Sequence, residues 1–338
     1  MKKVVKFGGS SLASAKQFKK VGDIIRADKS RLYVVPSAPG KRNKNDTKVT
    51  DMLYACYEAA STGASYGKLL SVIKERYEQI IDGLELNLNL DYEFKTIEEN
   101  FIAKKGSDYA ASRGEYLNGI IMSHYLGYEF IDAAEVIFFD ENGTFLSEKT
   151  NEELAERLAH TERAVIPGFY GSNPDGTIHT FSRGGSDITG SIVARAIHAD
   201  LYENWTDVSG FLVADPRIVE NPEGISVITY SELRELSYMG AGVLHEDAIF
   251  PVRSANIPIN IKNTNAPQDA GTLIVPTSHA PASEHVITGI AGKKNFSVIS
   301  IEKDRMNSNK GFLRKLLQVL ENHDIFPEHM PTGIDTVS

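Results

Sequence analysis

Val4-Val5-Lys6-Phe7-Gly8-Gly9-Ser10-Ser11-Leu12 is a short apolar run broken by two glycines and two serines. Val4 to Phe7 has the length and apolar content of a buried strand, and Ser11 to Arg26 spaces its apolar residues as a helix does. Strand, glycine turn and helix together make the first half of a β-α-β unit. Glycine lets a backbone approach a bulky anion closely. A helix start offers free N–H groups and the positive end of its dipole. Lys6 adds a full charge, so Lys6, Phe7, Gly8, Gly9 and Ser10 read as a phosphate cradle. The spacing is not that of a Walker loop, since no GxxxxGK[ST] occurs in the chain. The same residues also suit an ordinary strand–turn–helix junction.

The alternation continues downstream. Leu32 to Pro36 reads as a strand, 51–60 and 67–81 as helices, and Glu115 to Tyr125 as a further helix. Tyr128 to Asp132 and Arg163 to Pro167 read as strands around a helix at 151–158. Asn173-Pro174-Asp175-Gly176 marks a turn between two extended segments, which predicts a hairpin over 169–181. A helix at 188–198, a strand at 202–207, helices at 231–239 and 243–249 and a strand at 257–262 follow. Strands separated by helices predict an α/β fold with a mostly parallel central sheet and helices on both faces. The stretch from Thr277 to Glu284 reads as a linker. Beyond it, a strand at 296–302, a helix at 311–322 and a strand beginning at 325–330 make an α+β fragment small for an independent domain.

The chain has 338 residues, enough for about two domains. Its 36 basic and 45 acidic side chains leave a net charge of −9, which repels phosphate backbones and argues against nucleic-acid binding. Cys56 is the single cysteine, so a disulfide framework and a cysteine-based zinc cluster are excluded. No apolar run is long enough to span a membrane. The N-terminus lacks the apolar region of a signal peptide, and the expected location is cytoplasmic.

Three more loops carry chemistry. Ser182-Arg183-Gly184-Gly185-Ser186-Asp187 again feeds a glycine loop into a helix start. Arg183 suits bidentate recognition of a carboxylate, and Asp187 suits either capping or the ordering of cations. Thr206-Asp207-Val208-Ser209-Gly210 ends a strand, where open α/β sheets bind ligands. Asp207 suits an adenine amino group or a ribose hydroxyl, and Arg217 in Asp215-Pro216-Arg217 suits a phosphate, or simply an ion pair at the surface. Ser37 follows a strand and, with Thr50, offers hydroxyls to a small polar ligand. Gly114-Glu115 reads as a helix opening, with Glu115 as a first-turn carboxylate. There is no HExxH, GxSxG or protein-kinase HRD or DFG set, and no G-x-G-x-x-G of a dinucleotide-binding dehydrogenase.

Taken together, 6–12, Ser37-Ala38, Val49-Thr50-Asp51, Gly114-Glu115, Gly168-Phe169, 183–187, Thr206-Asp207-Val208, Asp215-Pro216-Arg217 and Gly271-Thr272-Leu273 resemble, in order, the motifs of aspartate kinases in the amino-acid-kinase superfamily. The resemblance spans roughly residues 1–275, and the segment after about 285 resembles the first part of an ACT regulatory module. It implies an amino-acid-kinase-like sandwich. The catalytic domain would be 1–280, divided into a substrate lobe (1–198) and a nucleotide lobe (199–280), with an incomplete ACT-like segment at 285–338. The implied reaction is ATP-dependent phosphorylation of the L-aspartate side-chain carboxylate to 4-phospho-L-aspartate, which opens lysine, threonine and methionine biosynthesis. Mg2+ would enter with ATP, held mainly through its phosphates. A homodimer or higher assembly and a lysine or threonine effector are further implications.

The resemblance also implies residue roles. Lys6 and the Gly8-Gly9 amides hold the transferring phosphoryl group, and Asp187 organises the cations. Arg183 takes the α-carboxylate of aspartate and Glu115 its α-ammonium. Ser37 and Thr50 orient the reacting carboxylate, while Phe169 and Ser186 complete the aspartate pocket. Thr206, Asp207 and Arg217 hold the nucleotide. Two positions depart from the pattern: Gly242 stands where many members have a phosphate-binding lysine, and Leu212 where many have tyrosine. Arg217 or Lys262 is the expected source of the missing charge. Two alternatives stand beside this reading. One is another carboxylate or carbamate kinase of the superfamily; the other is a degenerate kinase that senses an amino acid.

Overall fold

The computed structural model describes residues 1–182, 184–239, 244, 246–279 and 286–338, with the side chains of Glu246, Asp247 and Asn307 outside the described set. Two compact units are present, 1–291 and 292–338.

The first unit begins with β1 (Lys3–Phe7), α1 (Ala15–Ala27), β2 (Arg31–Pro36) and four helices, α2 (Val49–Ser61), α3 (Gly67–Gly83), α4 (Asp91–Ile102) and α5 (Ser107–Leu126). It continues through β3 (Glu129–Phe130), α6 (Ala133–Val136), α7 (Ser147–Ala159), β4 (Ala164–Val165), the hairpin β5 (Tyr170–Ser172) and β6 (Ile178–Thr180), α8 (Gly185–Ala196) and β7 (Leu201–Thr206). It closes with β8 (Val227–Thr229), α9 (Tyr230–Tyr238), α10 (Glu246–Ser254), β9 (Ile259–Asn263) and β10 (Thr272–Val275). Eight strands form one sheet in the order β3-β4-β2-β1-β7-β9-β10-β8. Every neighbouring pair is parallel except β9 with β10. Among the described residues no helix is long and apolar enough to cross a membrane.

Both faces of the sheet are covered, so consecutive residues of β1 are buried in different cores. Val4, Tyr202 and Ile259 pack with Leu154, Ile192 and Val252 of α7, α8 and α10. Val5, Phe7 and Trp205 pack with Phe18, Leu53, Ile73 and Leu117 of α1, α2, α3 and α5. A strand covered on both faces has no polar alternation, which is why 4–7 reads as a continuous run apart from Lys6. β1 leads on to β2 at one side, whereas β7 leads to the strands on the other. The crevice outside their carboxyl ends is therefore the position where open α/β sheets take ligands.

Several boundaries differ from those the sequence suggests. α5 starts at Ser107, so Glu115 lies in the helix interior and is no first-turn carboxylate. Gly114 serves a close approach: a Cβ there would lie 2.8 Å from the Ala38 Cβ. α8 starts at Gly185, behind Gly184 in the left-handed conformation (φ 60°). The helix expected at 243–249 is α10, at 246–254, and Val243 lies outside the described residues. Most of the expected linker, 280–284, is also outside them.

The second unit contains β11 (Ile301–Glu302), α11 (Phe312–Glu321) and β12 (Thr336–Val337), with β11 and β12 antiparallel. The strand expected over 296–302 is only its last two residues, and 325–330 forms none. Residues 296–300 are exposed and lack a strand partner, so their apolar sequence alone does not make a strand. One helix and one two-residue strand pair do not establish an ACT-like module.

Candidate active site

Lys6 and Asn204 are direct partners in the parallel register of β1 and β7. Their side chains project from the same face, and both are buried. Asp187, in the first turn of α8, meets both: its Oδ1 lies 2.6 Å from Lys6 Nζ and accepts a 2.7 Å hydrogen bond from Asn204 Nδ2. The Asp187 carbonyl also accepts from the Tyr202 hydroxyl at 3.2 Å, which ties the helix start to β7. The ammonium of Lys6 is therefore held beside the loop that follows β1. Asn204 carries no sequence signal beyond being a polar residue inside a strand, where asparagine is depleted.

That loop is seated on the turn after β2. The Gly8 N–H donates to the Trp205 carbonyl at 3.0 Å, and the Gly9 carbonyl accepts from Gly40 N–H at 2.8 Å. A Cβ on Gly9 would stand 2.8 Å from the Ala38 carbonyl oxygen, and one on Gly40 2.5 Å from the Gly9 carbonyl carbon. Only two glycines fit this contact. Gly9 to Leu12 form a 3-10 turn, and α1 starts later, behind Ser14. Ser11 caps no helix; its hydroxyl lies 2.8 Å from that of Thr264.

Glu115 faces the same turn from α5. It is 6% exposed, and its Oε2 is buried without a partner. Burial pushes the carboxyl up to about 8, against the opposing pull of the Ala38 N–H and of the Lys6 ammonium. A buried acceptor without a donor asks for a cation or N–H from a ligand. Thr50, in the first turn of α2, lies beside it: its Oγ1 is 3.7 Å from where a Cβ on Gly114 would be. Ser37 N–H donates to the Phe7 carbonyl at 3.0 Å, bringing Ser37 to the same strand ends.

Gly168-Phe169 and Gly185-Ser186 pack against one another. A Cβ on Gly168 would meet Ser186 Oγ at 2.6 Å, and one on Gly185 would meet the Phe169 ring at 2.5 Å. Phe169 has φ of 83°, a left-handed conformation that costs a non-glycine residue about 1–3 kcal/mol. Its N–H donates to Thr189 Oγ1 at 3.0 Å and its carbonyl accepts from Phe181 N–H at 2.9 Å, which hold it there. The adjoining hairpin is tethered to α5 by Asp108, whose Oδ2 accepts from Thr180 N–H at 2.9 Å. Arg183 lies outside the described residues, as does Gly242.

The nucleotide candidates are less converged. Thr206 ends β7, and its hydroxyl lies 3.3 Å from the exposed Asp207 carboxylate. Arg217 is 87% exposed in its side chain and paired with Asp215 at 2.6 Å. Lys262, the other expected source of the missing charge, is turned away from Lys6. It registers with Trp205, one residue on from Asn204, so strand alternation sends it to the face opposite Lys6. There it donates to the Asp269 carbonyl at 2.7 Å and lies 5.3 Å from the centre of the Trp205 ring. Leu212 is 41% exposed.

The amino acid kinase family pattern matches residues 1–263. Aspartokinase 3 of Bacillus subtilis is 41% identical over 99% of the chain and 77% of its own length. The chloroplastic aspartokinase 1 of Arabidopsis thaliana is 32% identical, and the chain spans 62% of it. The crystal structure of Clostridium acetobutylicum aspartate kinase superposes with a TM-score of 0.92 at 56% identity, over 99% of this chain and 76% of that one. Escherichia coli aspartokinase III, in complex with lysine and aspartate, gives a TM-score of 0.76 at 25% identity over 99% and 78%.

Proposed function

The chain belongs to the amino acid kinase family, and we propose that it acts as an aspartate kinase, transferring the terminal phosphoryl group of ATP to the side-chain carboxylate of L-aspartate. The observation that carries this reading is the unpartnered buried oxygen of Glu115, set across the Ser37-Ala38 turn from the Lys6 loop. It suits the α-ammonium of a free amino acid; an N-acylated substrate has no such cation.

The acceptor is a carboxylate with an ordinary pKa of about 4, already ionised at neutral pH. No general base is needed, and the work left is alignment and charge neutralisation. Glu115 takes the ammonium and Arg183 the α-carboxylate. Ser37 and Thr50 aim the reacting oxygen at the terminal phosphorus, with Phe169 and Ser186 walling the pocket. Lys6 and the Gly9 amide stabilise the charge that develops on the phosphoryl oxygens, the Gly8 N–H being already given to the Trp205 carbonyl, and Asp187 keeps Lys6 aimed. As the carboxylate oxygen bonds to phosphorus, the bond to the bridging oxygen breaks and ADP leaves. Thr206, Asp207 and Arg217 serve the nucleotide.

Among the described residues no three acidic, histidine or cysteine groups converge on one point. Magnesium would come in on the nucleotide phosphates, near Asp187, and there neutralise phosphate charge. By this reading 1–198 is the aspartate lobe, 199–280 the nucleotide lobe and 285–338 part of a regulatory segment. Lysine or threonine is the effector, and the working assembly is a dimer or larger.

ADP release tests the assignment. Turnover is expected with L-aspartate and ATP, and not with L-glutamate or N-acetylglutamate; added lysine or threonine should lower it. Preference for N-acetylglutamate would transfer the chain to another branch of the family. Lysine binding without any turnover would favour an amino-acid sensor.

A further inference from the structure

Asn118 has no part in the reading above. It is fully buried on α5, one turn after Glu115, and therefore on the same side of the helix. Its Nδ2 donates to the Ser37 carbonyl at 2.6 Å. Glu115, one turn earlier, lies near enough to the Ala38 N–H for that group to pull its carboxyl down. The Ser37 carbonyl and the Ala38 N–H are the two ends of a single peptide group. α5 thus faces that peptide with both side chains, Asn118 bonded to its carbonyl and Glu115 acted on by its N–H. Reversing the Asn118 amide would set oxygen against oxygen, so the donor orientation is the satisfied one.

Asn118 also leaves its own Oδ1 buried without a partner. Leucine would fill the space with no such penalty, so the single bond to Ser37 is what the asparagine adds. The gripped peptide carries Ser37 on one side, and on the other Ala38, whose carbonyl oxygen packs against Gly9.

We propose that Asn118 is a positioning residue: by holding the Ser37–Ala38 peptide, it sets the Ser37 hydroxyl for the reacting carboxylate and keeps the second oxygen of Glu115 free for the substrate ammonium. The proposal rests on the reading of Glu115 as the ammonium site. Without the Asn118 bond the peptide is free to turn, and the Ala38 N–H that pulls the Glu115 carboxyl down can leave it. The carboxyl then holds its proton to higher pH, and aspartate must displace it. The other titratable groups acting on Glu115 are Lys6 from β1, Tyr54 from α2 and Tyr77 from α3; among the described residues Asn118 bonds the Ser37 carbonyl and none of these three.

The test is the aspartate KM of the full chain between pH 6.5 and 9, in wild type, Glu115→Gln, Asn118→Leu, Asn118→Ala and Asn118→Ser. Wild type should show a break near pH 8, and Glu115→Gln should remove it. Asn118→Leu should raise the aspartate KM roughly tenfold, leave the ATP KM within about twofold, and move the break about half a unit or more to higher pH. Serine restores a donor at nearly the volume of alanine, so Asn118→Ser should lie closer to wild type than Asn118→Ala; this pair decides the matter if the leucine variant does not fold. A wild-type profile without the break, or one that survives Glu115→Gln, overturns the Glu115 reading. An intact Glu115 result with an unmoved break in Asn118→Leu, or equal KM values for the serine and alanine variants, overturns the role of Asn118 alone.

Discussion

Replacing Lys6 by methionine separates its two tasks. The Lys6–Asp187 contact is 2.6 Å, and the side chains are only 9% and 18% exposed. Removing one partner of a buried pair costs about 3–5 kcal/mol, mostly through the charge left behind. Asp187 keeps its bond from Asn204 and some solvent, so the expected loss is at the lower end or below it, about 2–3 kcal/mol. Loss of one preorganised cation at a developing negative charge costs about 10²–10³ in kcat. Urea unfolding should therefore show a lower midpoint for Lys6→Met, and ADP release a kcat reduced by about 10²–10³ with the aspartate KM within about threefold. Lys6→Met combined with Asp187→Asn removes the orphaned charge. Stability in the double variant should return by roughly half, while kcat stays low. Single losses that simply add in the double variant would refute the coupling. A kcat within tenfold of wild type together with a raised aspartate KM would move Lys6 from phosphate to substrate.

Other outcomes follow from single positions. Unfolded glutamate ionises near 4.3, whereas Glu115 holds its proton to about 8, so between those values the folded chain binds more protons and ligand-free stability falls as pH rises, by about 5 kcal/mol at most. Urea midpoints at pH 5 and 8 should show this slope in wild type and not in Glu115→Gln. Gly9→Ala places a methyl 2.8 Å from the Ala38 carbonyl oxygen, with backbone on both sides, and should cost about 1–3 kcal/mol and most of the activity; a midpoint equal to wild type would mean the two loops can part. Arg183→Ala should weaken aspartate roughly 10- to 100-fold in KM with kcat changed less, and equal losses in both would place the arginine at the phosphoryl group.

Residues 4–12 were readable because a strand buried on both sides, a glycine pair and a helical spacing each leave a local mark. Asn204 and Asn118 leave none. Their importance lies in register and in a peptide brought from elsewhere in the chain, which no local pattern encodes. Gly114 misleads for a related reason: glycine next to glutamate suggests a helix opening, but the missing side chain admits Ala38 to the middle of α5. Lys262 could be placed only once strand alternation set it opposite Lys6. α4 was legible in principle, since Phe94, Ile97 and Phe101 recur at helical spacing. In the C-terminal unit apolar residues without a covering layer mimic strands that do not form.

α5 is a 20-residue rod, about 30 Å from end to end. Its beginning is fastened to the hairpin through Asp108, and its middle carries Glu115 and Asn118. The hairpin and the Glu115 carboxylate thus hang on one lever. A tilt of that rod would carry the hairpin strands and the Glu115 carboxylate with it, so a push at either end would be felt at the other.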